Sequence, residues 1–168
     1  MGELTGRRVR IATPSIDGKY CEGYVLSLIN TLNLLHRMGC VVDWSRMPNC
    51  SDISYARNRM FGAFVRSTDT DMVFIDADIA WNPTDVVRLL TSGKDFVAGV
   101  YKRKTEKTTF AFDHDGSESL TEVSGVGMGF TAFTRQFALK MIEAYPELIF
   151  CGDDGLQDYA IFLPMIDE

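Results

Sequence analysis

The sequence has 168 residues, 46% of them hydrophobic, and a formal net charge of −6 at pH 7. That is enough for one compact domain with a buried core, and the acidic balance argues against a surface built to neutralise nucleic-acid phosphates or to lie on anionic lipid. The four cysteines, Cys21, Cys40, Cys50 and Cys151, show neither a C-x-x-C pair nor the density of a disulfide scaffold, and read as free thiols of a reducing compartment.

In chain order, Met1 to Arg8 lead into only a short apolar stretch, which predicts neither a signal peptide nor a transmembrane segment and makes the cytoplasm the expected location. Val9-Arg10-Ile11-Ala12 reads as a first strand and Thr13 to Gly18 as a loop. Val25, Leu28, Leu32 and Leu35 recur at helical spacing, predicting a helix over 20–38 that stops at Gly39. A second strand follows at Cys40 to Ser45. Ser51 or Asp52 can cap a second helix running to about Arg66, with Ala56, Met60, Ala63 and Phe64 facing inward. The apolar run Met72-Val73-Phe74-Ile75 is a third strand, and Asn82-Pro83-Thr84-Asp85 opens a short helix ending near Gly93. Asp95 to Tyr101 reads as a fourth strand, Lys102 to Ser119 as a polar, mobile loop or hairpin, Gly129 to Phe133 as a strand, and Gln136 to about Tyr145 as a helix burying Ala138, Met141 and Ile142. Strands alternating with helices predict an α/β fold, Rossmann-like, with a mostly parallel central sheet flanked by helices, in a single domain spanning 1–168.

The chemistry-bearing residues gather after predicted strands, where α/β proteins usually bind ligands. Asp76-Ala77-Asp78 follows the third strand. Two carboxylates one residue apart on an extended backbone point to the same side, so both can reach one Mg²⁺ or Mn²⁺ through oxygen ligands and leave positions for substrate phosphates. The plain alternative is a solvated strand-end turn. Arg57, one turn into the second helix, can aim a fork of donors at phosphate or a nucleobase, with Asn58 adding a donor and an acceptor, or it can pair with an acid structurally. Thr13-Pro14-Ser15 offers backbone groups and two hydroxyls for a base or ribose. Gly125, Gly127 and Gly129 allow a backbone to approach a ligand closely, or mark a turn. The basic cluster Tyr101-Lys102-Arg103-Lys104 could meet phosphate, or be a charged edge. Asp153, Asp154 and Asp158 supply late carboxylates for a general base or a further metal ligand, or form an acidic loop. His36 and His114 lack zinc-site spacing, and no Ser nucleophile elbow is present.

Taken in order, Thr13-Pro14-Ser15, Ala56-Arg57-Asn58, Asp76-Ala77-Asp78, Asn82-Pro83, the Phe96 to Lys102 strand and the Glu122 to Phe130 segment resemble the nucleotide-sugar-dependent glycosyltransferases of the A-type fold, in their small bacterial and viral, family-2-like form. The resemblance implies transfer of a sugar from a nucleoside-diphosphate sugar to a hydroxyl acceptor, with Mn²⁺ or Mg²⁺ as cofactor. It places the donor's base near Thr13, Pro14, Ser15 and Arg57, its ribose against Asp76, and the diphosphate-bridging metal on Asp78. It also implies a carboxylate base before a helix. Asp158 in Gln157-Asp158-Tyr159-Ala160 is one placement. On the other, Phe162 to Glu168 resembles the segment that precedes the base, and the chain ends before it. Two other functional classes stand beside this one. A haloacid-dehalogenase-like phosphatase would use Asp76 as nucleophile, although two strand-helix units precede Asp76 where that class normally has none. A nonenzymatic nucleotide- or glycan-binding module would need only the donor site.

Overall fold

Strand β1 (Arg8–Ser15) begins the chain's regular structure, followed by α1 (Glu22–Arg37), β2 (Val41–Pro48), α2 (Ile53–Arg66), β3 (Asp71–Ile75), α3 (Pro83–Leu90), β4 (Phe96–Ala98), β5 (Phe130–Thr134), α4 (Arg135–Ala144), β6 (Ile149–Cys151) and β7 (Gln157–Tyr159). The structure is a computed structural model and describes residues 4–101, 120–152 and 154–163. The predicted loop at 102–119, its basic residues, His114 and Asp153 lie outside the described residues.

The main sheet has five strands in the order β2-β1-β3-β5-β4. β1 pairs in parallel with β2 and with β3, while β5 is antiparallel to both β3 and β4. β2, β1, β3 and β4 therefore share one direction, and β5 runs against them. The architecture is α/β with a mixed sheet flanked by helices, compatible with a Rossmann-like fold. The strand-helix alternation predicted a mostly parallel sheet, and β5 is the strand that departs from it. β5 lies beside β3, and β4 reaches the sheet only through it.

Both faces are covered. Val9, Ile11, Val73 and Ile75 point to the face packed by Tyr24, Leu28 and Leu35 of α1 and Val86, Leu89 and Leu90 of α3. Ala12, Met72 and Phe74 point the other way, onto Met60, Phe61 and Phe64 of α2 and Ala138 of α4. This is why β3 reads as an unbroken apolar run: a strand buried on both sides has no polar face to alternate with. α1 differs from its predicted face. Tyr24, Ser27 and Thr31 are buried, whereas Val25 is exposed. On α2, Phe61 and Asn58 join the buried face and Ala63 is only half-buried. Asn82 caps α3, and its N–H donates to the Asp85 carboxylate in a reciprocal capping box, with Pro83 at the helix start.

β1 is longer than predicted, because Thr13, Pro14 and Ser15 continue the ladder against Arg46, Met47 and Pro48 of β2. A proline fits here for a local reason. Ser15 accepts from the Cys50 N–H on the β2 side, so Pro14 faces the β3 side, where pairing has ended at Ala12 and Phe74. At the opposite ends of the strands, Arg7 pairs with the buried Asp71 and Arg10 with the buried Asp69. Among the described residues no helix is long and apolar enough to cross a membrane, and the four cysteines are free.

Candidate functional site

The connection from β1 leads through α1 to β2 on one side, and the chain then returns through α2 to β3 on the other side of β1. Right-handed crossovers in opposite directions place α1 and α2 on opposite faces, and the carboxyl ends of β1 and β3 diverge between them. Asp76, Ala77 and Asp78 leave β3 at this point.

The chain does not stay extended there. The Ile79 N–H donates to the Asp76 carbonyl at 3.1 Å, so 76–79 form a turn and the same-side geometry expected of an extended D-x-D does not apply to this pair. The turn is held from both faces. From α2, Arg57 Nη2 donates to Asp76 Oδ1 at 2.9 Å, and both side chains are mostly shielded, 14% and 30% exposed. From α1, the Cys21 N–H donates to the Ala77 carbonyl at 3.0 Å. Ser27 Oγ donates to the Trp81 carbonyl and accepts from the Trp81 N–H, and the Trp81 indole donates to Thr31 Oγ1. Gly23 completes the contact, since a Cβ there would lie 2.9 Å from that of Ala80. Asp78 is exposed at the crest of the turn. The loop is thus pre-shaped by rigid neighbours, as a binding site requires.

Arg57 carries a further signal. Its Nε is buried, and among the described residues no acceptor reaches it. A buried guanidinium donor without a partner is costly unless a ligand or water supplies the acceptor.

On the far side of Asp76, β5 begins. The Asp76 N–H donates to the Gly129 carbonyl at 2.9 Å, and the Gly129 N–H donates to the Tyr101 hydroxyl at 3.3 Å. From sequence, Gly129 is either a close approach to a ligand or a turn, and Tyr101 belongs both to a basic cluster and to the Phe96 to Lys102 strand.

The other predicted residues are engaged by the protein itself. The Thr13 hydroxyl is bonded to the Tyr24 phenol, and the Trp44 indole donates to both, at 3.3 Å to Thr13 and 3.1 Å to Tyr24. Burial pushes the Tyr24 phenol up to about 12. Ser15 Oγ donates to the Lys19 carbonyl. Asn58 is buried and accepts from the Phe162 N–H at 2.9 Å, tying the C-terminal segment to α2. Asp158 is fully buried in β7, with one oxygen on Arg59 and the other on Arg66. Asp154 pairs with Arg59 as well. Ser27, Thr31, Trp81 and Trp44 carry no functional signal of their own in the sequence pattern. Only Ser27 and Thr31 left a trace there, as polar residues four apart within an apolar helix stripe.

Among the described residues no three His, Cys, Asp or Glu side chains gather as a metal cluster. No family model matches the sequence, and no curated protein matches it.

Proposed function

We propose that the chain carries the nucleotide-sugar site of a metal-dependent glycosyltransferase of the A-type fold. The observation that carries this reading is the Arg57–Asp76 pair, set where β1 and β3 diverge and joined to a D-x-D turn pinned by both flanking helices. The ordered sequence motifs support it independently. Arg57 offers a buried, unpartnered Nε to a ligand acceptor, which suits an anionic or carbonyl-bearing donor.

The donor set fits a hard divalent cation. Asp76 and Asp78 offer carboxylate oxygens, the donor type such a cation takes, and diphosphate oxygens and water would fill its other positions. Asp78, at the exposed crest of the turn, would hold that ion, with Asp76 turned toward Arg57, and the ion would supply charge neutralisation of the diphosphate leaving group. No base is assigned to Asp158 or Asp154. A base has to reach the acceptor hydroxyl, and these carboxylates are occupied by Arg59 and Arg66.

Calorimetric titration of UDP and GDP, with and without Mn²⁺, tests the reading. Mn²⁺-dependent binding of one of them is expected, weakened at least about tenfold in Asp78→Ala and in Arg57→Ala. Metal-independent binding, or binding undiminished in Asp78→Ala, would remove the metal role. No nucleotide binding at all would sink the reading, and hydrolysis of p-nitrophenyl phosphate abolished by Asp76→Asn would replace it with the phosphatase.

A further inference from the structure

A groove lies between the C-terminal half of α1 and the start of α3. It holds about 560 Å³, within the roughly 300–1,000 Å³ typical of small-molecule sites, and it is open to solvent. α1 supplies one wall. Asn30, Asn33, Leu34 and Arg37 recur at three- and four-residue spacing, so they lie on one stripe of the helix. The first turn of α3 supplies the other wall, with Asn82, Pro83 and Thr84. The α1 positions lie roughly 14–24 Å along the helix from Cys21, whose N–H holds the D-x-D turn at Ala77. In the chain, Trp81, bound to Ser27 and Thr31, comes between that turn and the groove.

The lining contrasts with a chain of net charge −6. No Asp or Glu lines the groove, while Arg37 brings a guanidinium and His36 a ring N–H. Among the described residues, no side-chain hydrogen bond or ion pair engages Asn30, Asn33, His36 or Arg37. Asn82 Oδ1 accepts from the Thr84 N–H and from the Thr84 hydroxyl, so the amide nitrogen is what Asn82 leaves for a ligand. Leu34 and Pro83 are half-buried and set apolar surface among these polar groups.

We propose that this groove binds an acidic sugar, a monosaccharide that carries a carboxylate or a phosphate. Arg37 matches the oxyanion, since its fork of donors fits either group. Each Asn amide can donate and accept at once, as a sugar hydroxyl does, and Asn30 and Asn33 stand about one turn apart along the wall. Leu34 and Pro83 offer contact to the C–H face of a ring. Other ligand classes leave parts of the lining unused. A divalent cation would need carboxylate oxygens, which the lining lacks. A neutral sugar would leave Arg37 unpaired, and a bare inorganic anion would leave the amides and the apolar residues idle.

Ligand-observed NMR titration with glucuronate, glucose 6-phosphate, glucose and inorganic phosphate, without Mn²⁺, tests the assignment. At least one acidic sugar is expected to bind about tenfold or more tighter than glucose and than inorganic phosphate. Binding of glucuronate alone identifies a carboxylate ligand, and binding of glucose 6-phosphate alone a phosphate ligand. Arg37→Gln should weaken the acidic sugar about tenfold and Asn33→Ala about three- to fivefold; both side chains are exposed, so both variants keep the fold. Undiminished binding in either variant, or failure of both acidic sugars to bind, would overturn the site. Inorganic phosphate held as tightly as glucose 6-phosphate would overturn the sugar class. UDP or GDP added with Mn²⁺ should leave the acidic sugar bound, and displacement would place the probes in the donor site and overturn the groove. A wild type that binds an acidic sugar but no nucleotide would remove the donor-site reading and leave the groove standing.

Discussion

Arg57 and Arg59 stand two positions apart on α2 and serve different neighbours of that helix. Two helical steps turn a side chain by roughly 200°, so when Arg57 reaches Asp76 of the D-x-D turn, Arg59 must reach elsewhere, and it takes Asp154 and Asp158. Asn58 between them holds the Phe162 N–H. The sequence offers Arg57 and Asn58 together as candidate ligand contacts or, for Arg57, a structural ion pair, and the direction of each side chain depends on what packs around α2. The Arg59–Asp154 pair has a measurable acid signature. The Arg59 side chain first, and then the Leu156 N–H, hold the Asp154 carboxyl at about 2, below its ordinary 3.8. A folded-state value depressed in this way contributes stability above the unfolded value of roughly 4, and that contribution is lost as pH falls toward 2. Acid unfolding of Asp154→Asn should therefore fall below the wild type at neutral pH and converge with it between about pH 4 and pH 2. Parallel curves through that window would show that the pair contributes nothing.

At the scale of elements, the β6–β7 hairpin is a short antiparallel pair that docks on α2 through the buried Tyr159 ring against Phe61 and through charge. Ile149 pairs with Tyr159 and Cys151 with Gln157. Asp158 between them is buried against Arg59 and Arg66, and Arg66 also donates to the Gln157 carbonyl. α2 makes room with Gly62, where a Cβ would fall 1.9 Å from Asp158 Oδ1. A glycine mid-helix costs stability on propensity alone, so its presence here reflects the close approach of the hairpin. Removing the carboxylate leaves two guanidiniums facing a buried gap. Asp158→Ala should destabilise the protein by about 3 kcal/mol in urea unfolding, the low end for a broken buried pair because Arg66 is partly exposed. A loss below about 0.5 kcal/mol, as for an exposed pair, would refute this role. The hairpin was not visible in the sequence. Its strands have three residues each, and the Gly-Asp-Asp-Gly connection looks like any acidic loop. The start of α3 was visible, because Asn82, Pro83 and Asp85 act on each other within one turn.

At the scale of the whole molecule, the sheet brings residues 57, 76, 101 and 129 to one edge although they are far apart in the chain. A ligand that binds there stabilises the fold by mass action. At one hundred times its Kd it adds about 2.7 kcal/mol, so Mn²⁺ with the nucleotide it favours should raise the melting temperature, and Asp78→Ala should remove the increase. An equal increase in the variant would place the binding elsewhere. The sequence by itself determined the α/β class, the buried β3 run, the extent of α1 and α2 to within a few residues, and the D-x-D at a strand end. Each of these follows from side-chain periodicity and capping among near neighbours in the chain. Only the tertiary structure decided that β5 enters antiparallel between β3 and β4, that the chain turns at Asp76, that Asp158 is locked between two arginines, and that Tyr101 arrives over Gly129. Those outcomes depend on which distant segments meet, and the free energy of such meetings comes from burial and pairing that no local window contains.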